Sequence, residues 1–154
     1  MKIVSKLALC AVGASLMLAG NAYSAERGTK EEAEAMTKKA VAFIKANGAD
    51  KAYAEISNPA GQFHDRDLYV VVYDLTGKCL AHGSNAKLIG KDLSDTQDAD
   101  GKYYVKERAE LAKTKENFWQ DYKFSDPISK KITPKITYCE HVDNTAVCVG
   151  IYKS

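Results

Sequence analysis

The apolar and polar pattern is sharpest between Phe63 and Gly83. Leu68 to Tyr73 is an unbroken apolar, β-branched and aromatic run of strand length. Asp74 to Lys78 has turn chemistry, with Gly77 free to take a positive φ, and Cys79 to His82 resumes a short apolar run. Two strands around a Gly-containing loop of about five residues predict a β-hairpin.

Upstream, Thr29 and Glu32 fit a capping box, in which the Thr oxygen takes a free backbone N–H and the Glu reaches back. Ala33, Met36, Ala40, Phe43, Ile44 and Asn47 then recur at helical spacing, and Gly48 suits a C-cap. The long helix this predicts is followed by a shorter one, capped by Asp50, with Ala52, Tyr53 and Ile56 on its apolar side. Asn58 to Gly61 ends it. Downstream of the hairpin, Ser84 to Leu93 reads as an ordered loop packed on the sheet. Asp100 or Gly101 opens a further helical segment, with Tyr104, Val105, Arg108, Leu111 and Ala112 in register. Phe118 to Phe124 alternates, with Phe118, Gln120, Tyr122 and Phe124 on one side and Trp119, Asp121 and Lys123 on the other. Asp126 to Pro134 reads as a linking turn, and Lys135 to Val142 with Ala146 to Tyr152 as a last hairpin. Consecutive antiparallel strands with helices before and between them predict an α+β fold with about five strands.

The first residues change this picture. Lys2 and Lys6 precede a 13-residue apolar stretch from Leu7 to Ala19, followed by small residues. This is the pattern of an export signal, and it is shorter than the roughly 20 apolar residues of a membrane span. Cleavage is expected after Ser24, with the Gly20/Ala22 pair as the alternative. The expected organisation is therefore a signal peptide over 1–24 and one domain over 25–154, periplasmic or secreted, with no membrane span after cleavage. The formal net charge of +2, without a basic block, argues against nucleic acid as a partner. Export also permits a disulfide. If Asp143 and Asn144 form a two-residue turn, Cys139 and Cys148 fall opposite each other, and they are either bridged or two buried thiols.

The run from Asp67 to Leu93 resembles the single Cache domain family of extracellular small-molecule sensors. The segments Asp98 to Glu107, Trp119 to Phe124, Ile132 to Tyr138 and Val147 to Lys153 follow in that family's order. The resemblance covers Asn58 to Lys153 and implies a PAS-like antiparallel sheet with a long N-terminal helix and a short covering helix. It also implies a ligand held between the sheet and the loops crossing it. His82, Trp119, Lys135 and Tyr138 match positions where the family has a polar or aromatic residue.

The residues themselves narrow the chemistry. No nucleophile motif, phosphate-binding glycine loop or zinc spacing is present in the sequence, so no enzyme activity, cofactor or metal is expected. Thr96 to Gly101 with Glu107 resembles a calcium loop, but Thr96 stands where the first carboxylate belongs. An Asp/Gly turn capping the next helix is expected there instead. A pocket for a small organic anion needs apolar wall, a cation and hydroxyl or indole donors. His82, Trp119, Tyr122, Lys135 and Tyr138 offer that mixture, although Trp119 and Tyr122 cannot share one face of a regular strand. The leading expectation is an exported sensory domain binding a small organic anion such as a short carboxylate. Signal transduction would then call for a separate membrane receptor or signalling protein. The alternative is a periplasmic protein–protein interaction module whose pocket is filled by its own side chains.

Overall fold

The structure is a computed structural model that describes residues 26–153. The expected signal peptide, 1–24, lies outside the described residues. In chain order the elements are α1 (Lys30–Asn47), α2 (Ala49–Ile56), β1 (His64–Asp65), β2 (Leu68–Asp74), β3 (Cys79–His82), α3 (Tyr104–Thr114), β4 (Asn117–Ser125), β5 (Ile132–Val142) and β6 (Thr145–Tyr152). The fold is α+β, as the pattern predicts. The two-residue β1 makes a sixth strand beside the about five expected.

All the strand pairs are antiparallel, in the order β1, β2, β6, β5, β4, and β3 shares the outer flank of β2 with β1. Both faces of the sheet are covered, which is why β2 is buried at every position from Leu68 to Tyr73. On one face Leu68, Val70, Val72, Val147 and Val149 pack against Ala33, Ala40, Ile44 and Ile56 of α1 and α2. On the other, Tyr69, Tyr73, Phe118, Tyr122 and Tyr152 pack against Tyr104, Val105 and Ala112 of α3 and against Leu93.

Local signals place most element ends. The capping box at α1 is complete: Glu32 N donates to Thr29 Oγ1 at 3.2 Å, and Thr29 N donates to Glu32 Oε2 at 2.8 Å. Asp74 Oδ1 accepts from the backbone N–H groups of Thr76, Gly77 and Lys78, which closes the turn between β2 and β3 with Gly77 at φ 104°. Asp143 and Asn144 join β5 to β6. This register sets Cys139 opposite Cys148, and a disulfide joins them.

Three boundaries differ from expectation. Asp50 lies in the first turn of α2, whose N-cap is Gly48 with no side-chain cap. The third helix begins at Tyr104 rather than at Asp100 or Gly101. Asp98 Oδ1 accepts from the N–H of Asp100 and of Lys102, and Gly101 takes φ 82°, so these residues make a tight turn ahead of the helix. Asp98 thus caps this turn and not α3. Finally, β5 starts at Ile132, inside the expected linking turn, and Pro134 sits within the strand opposite Lys123. Its carbonyl accepts from Lys153 N, just past the last β6 ladder residue, Tyr152. The proline's missing N–H therefore falls where the ladder has ended and costs no strand bond.

The Asp98 turn has a second role. β4 is an edge strand, and an open edge invites pairing with other chains. Asp98 Oδ2 accepts from Lys123 N at 2.9 Å, and Lys102 Nζ donates to the Asp121 carbonyl, so one loop occupies two outward groups of that edge.

Asp98→Ala removes three backbone hydrogen bonds at a partly exposed site. It should cost about 1–2 kcal/mol in urea unfolding. A chelator should leave the wild-type melting temperature unchanged, and a fall of several degrees would mean that the turn holds an ion. After non-reducing cleavage with a Glu-specific protease, which cuts at Glu140 between them, the peptides carrying Cys139 and Cys148 should stay linked until thiol is added.

Candidate functional site

The α3 face of the sheet contains an unusual concentration of buried polar groups. Arg108 projects from the buried side of α3 and is 1% exposed, and Lys135 lies near the start of β5 and is 3% exposed. Among the described residues neither has a carboxylate within ion-pair distance. Burying a charge without a partner costs several kcal/mol, so what solvates these two cations matters.

Lys135 is held by phenols. Its Nζ donates to Tyr69 Oη at 2.7 Å and to Tyr152 Oη at 3.2 Å. The two phenol oxygens are 2.8 Å apart, and Tyr152 Oη also contacts the Ser125 carbonyl at 2.8 Å. A carbonyl only accepts, so the Tyr152 proton goes to Ser125, and Tyr69 donates to Tyr152. The ammonium has three N–H groups and uses two of them here. Its Nζ also lies 4.2 Å from the Tyr69 ring centre and 4.6 Å from that of Tyr152. The backbone makes room for this: a Cβ at Gly150 would collide with the Lys135 stem and the Thr137 hydroxyl.

Arg108 is held by an amide and by rings. Its Nε donates to Gln120 Oε1 at 3.0 Å, while Gln120 Nε2 donates to the Tyr104 carbonyl at 2.8 Å. The guanidinium carbon lies 5.1 Å from the Tyr122 ring centre, 5.2 Å from Tyr73 and 5.8 Å from Tyr104. Its Nη2 is buried and has no hydrogen-bond partner.

Tyr122 lies against both cations, since Lys135 Nζ is 6.0 Å from its ring centre. Burial pushes the Tyr122 phenol up, but the charges of Lys135 and Arg108 outweigh it and hold the group below its ordinary value. Burial raises Tyr104 to about 12. His82 stacks on Tyr69 with ring centres 5.3 Å apart. Its Nδ1 accepts from the backbone N–H of Ser84 and of Asn85, at 3.3 and 3.0 Å, which leaves the proton of the neutral ring on Nε2. Burial first, and then the charges of Lys135 and Arg108, lower the His82 pKa to about 3.

The structure thus brings His82, Tyr122 and Lys135 onto one face. Trp119 and Tyr138 lie on the opposite face, their ring centres 5.2 Å apart, with Lys30 Nζ 5.3 Å from the Trp119 ring centre. The period-two alternation of β4 and β5 requires this separation. Arg108, Tyr69, Gln120 and Tyr152 were not among the candidates. Arg108 had a readable signal, because it occupies a position in the apolar register of its helix, where a solvated arginine does not belong.

A cleft of about 250 Å³ is lined by the buried Lys135 and Tyr122 and, nearer solvent, by Pro134, Asp98, Asp121 and Lys153. Among the described residues no helix is long and apolar enough to cross a membrane.

Comparison with known proteins adds the relatives. Residues 11–152 match the family model described as Single Cache domain 2. A methyl-accepting chemotaxis protein from Vibrio parahaemolyticus is 25% identical, with TM-score 0.68 over 80% of this chain and 87% of that one. A periplasmic sensor domain of a chemotaxis protein is 26% identical, with TM-score 0.63 over 80% of this chain and 90% of the other. A Cache chemosensory domain studied for carboxylic acid recognition is 22% identical, with TM-score 0.68 over 80% and 92% of the two chains. No curated protein matches the chain.

The low pKa of His82 has a testable sign. The unfolded ring titrates near 6.5. Above that value both states are neutral and the full stability is present. As pH falls toward 3 the unfolded chain takes up a proton that the folded chain refuses, and stability is lost. Wild type should therefore lose stability between pH 7 and 4.5 faster than His82→Gln, by a slope approaching about 1.4 kcal/mol per pH unit. Equal slopes in urea titrations across that range would show that His82 is not held neutral.

Proposed function

We propose, on the premise that this chain belongs to the single Cache domain 2 family, that it is an exported sensory domain binding a small organic anion such as a short carboxylate. The observation that carries the reading is the pair of buried cations, Arg108 and Lys135, with no acid beside either among the described residues. Unpaired buried charge lowers stability, so its presence calls for a partner that is not part of the fold. The orphan Nη2 of Arg108 and the remaining N–H of Lys135 are free donors, and a carboxylate accepts from both kinds. The phenol of Tyr122, whose oxygen accepts from Thr137 Oγ1, adds a donor beside them, whereas the protons of Tyr69 and Tyr152 are already committed to Tyr152 and to the Ser125 carbonyl. Carboxylic acid recognition by the 22% identical Cache domain agrees with this chemistry.

The cleft beside Lys135 and Tyr122 is the way in. Trp119 and Tyr138 then serve the α1 face as packing, and the ligand groups are Lys135, Tyr122 and Arg108, with His82 behind Tyr69. The signal peptide over 1–24 is removed on export, leaving a domain of residues 25–154 in the periplasm or outside the cell. Arg27 donates to Asp126 at 2.7 Å and Gly28 N to Asp67 at 2.8 Å, so the chain is tied to the sheet within a few residues of that cut. Ligand occupancy is passed to a separate membrane receptor or signalling protein. The reading as an interaction module with a filled pocket draws on the tight stacking of Tyr104 on Tyr122, with ring centres 4.6 Å apart.

Thermal-shift screening of short organic acids, followed by calorimetry, separates the two. A stabilising acid at millimolar concentration supports the sensor, and none across the panel supports the interaction module. Lys135→Met should weaken the binding acid ten- to hundredfold, the loss of one charge-assisted bond of about 1.5–3 kcal/mol. The same variant without ligand should melt no lower than wild type, because an apolar chain of similar volume replaces an unpaired charge. A variant that binds equally well would remove Lys135 from the site.

A further inference from the structure

Resting on the anion-binding reading, we infer that the preferred ligand is an organic dianion, a short dicarboxylate, with one carboxylate for Arg108 and one for Lys135. The argument is a count of charge. Two cations are almost wholly buried on the same face of the sheet, and both lie against the ring of Tyr122, at 5.1 and 6.0 Å from its centre. The other polar groups around them do not compensate. The hydroxyls of Tyr69, Tyr152 and Thr137 and the amide of Gln120 are neutral, the Tyr122 phenol is lowered only to about 8 and so is mostly protonated at neutral pH, and His82 gives its one free lone pair to two backbone amides.

The acids whose charge reaches this region are committed elsewhere. Asp126, whose charge is felt at Tyr152, is bonded to Arg27. Asp98, whose charge is felt at Tyr104, is bonded to three backbone amides. A monocarboxylate would neutralise one cation and leave the other buried and unpaired. A dianion neutralises both, so the second carboxylate meets a site already desolvated and already positive.

The spacing agrees with a short diacid. The separation of the two charges cannot exceed their two distances to the Tyr122 ring laid end to end. A short diacid with a hydrogen bond at each end covers that span. The depth differs for the two groups. Lys135 lines the cleft, whereas Arg108 does not reach it and keeps its unpartnered Nη2 inside. A carboxylate entering the cleft meets Lys135 first, and the second one reaches Arg108 only as the Tyr122 ring, which lines the cleft and lies against both cations, gives way.

The test compares acids of equal carbon count at pH 7.5: malonate against propionate, and succinate against butyrate, titrated by calorimetry into the wild-type protein. At least one diacid should bind tenfold or more tightly than its monoacid partner. Lys135→Met should bring that ratio to about one, and Arg108→Gln should do so independently, which keeps the test intact if one variant does not fold. Lys51→Met, exposed on α2 and away from the cleft, should leave the ratio unchanged. If monoacids bind the wild type as tightly as diacids, the dianion inference is overturned and the anion-binding reading stands. A diacid preference that survives both charge-removing variants also overturns it. If no acid of either kind binds, both readings fall together.

Discussion

A buried positive charge with no counter-ion has to be solvated by something, and the α3 face of this sheet is organised to do that. Aromatic rings surround both cations because their faces carry negative potential and can be packed like core. The phenols of Tyr69 and Tyr152 direct their oxygens at Lys135 while their rings complete the apolar layer. Gln120 serves Arg108 and is itself oriented by the Tyr104 carbonyl. One side of the domain is thus an ordinary aliphatic core under α1 and α2, and the other is an aromatic layer built around charge. The first provides stability, and the second carries the cost of buried charge without a counter-ion.

The same layer is connected to the point where the chain enters the fold. Tyr152 donates to the carbonyl of Ser125, and the next residue, Asp126, holds Arg27. The hydrogen bond from Arg27 is the largest influence on Asp126 and keeps its carboxylate well below the ordinary range. Arg27 also reaches Asp67, which accepts from Gly28 N two residues ahead of α1. Lys135, Tyr152, Ser125, Asp126 and Arg27 therefore form one continuous polar path from the cations to the start of the long helix. At the far edge of the sheet the Asp98 loop covers part of β4 and forms the rim of the cleft. The groups that blunt an exposed strand edge are thus also those that border the entrance.

Features controlled by near neighbours were legible in the amino-acid sequence. The capping box at Thr29, the hairpin around Gly77 and the alternation of Phe118 to Phe124 each depend on residues a few positions apart, and each appears where the pattern puts it. The family was legible too, because the order of its strand segments survives in the chain. Only the assembled structure decided which face of each strand meets the charges. Alternation separates Trp119 from Tyr122 but cannot say which of them faces α3, since that depends on packing between distant segments. The start of the third helix was hidden in part for the same reason: the local turn on Asp98 Oδ1 takes up the residues expected to begin the helix, and the other oxygen of Asp98 ties that turn to Lys123, 25 residues away. Arg108 was visible as an out-of-place charge in an apolar register. That it lies beside a second cation, with no acid for either, is a property of the sheet and helix brought together, and no local pattern encodes it.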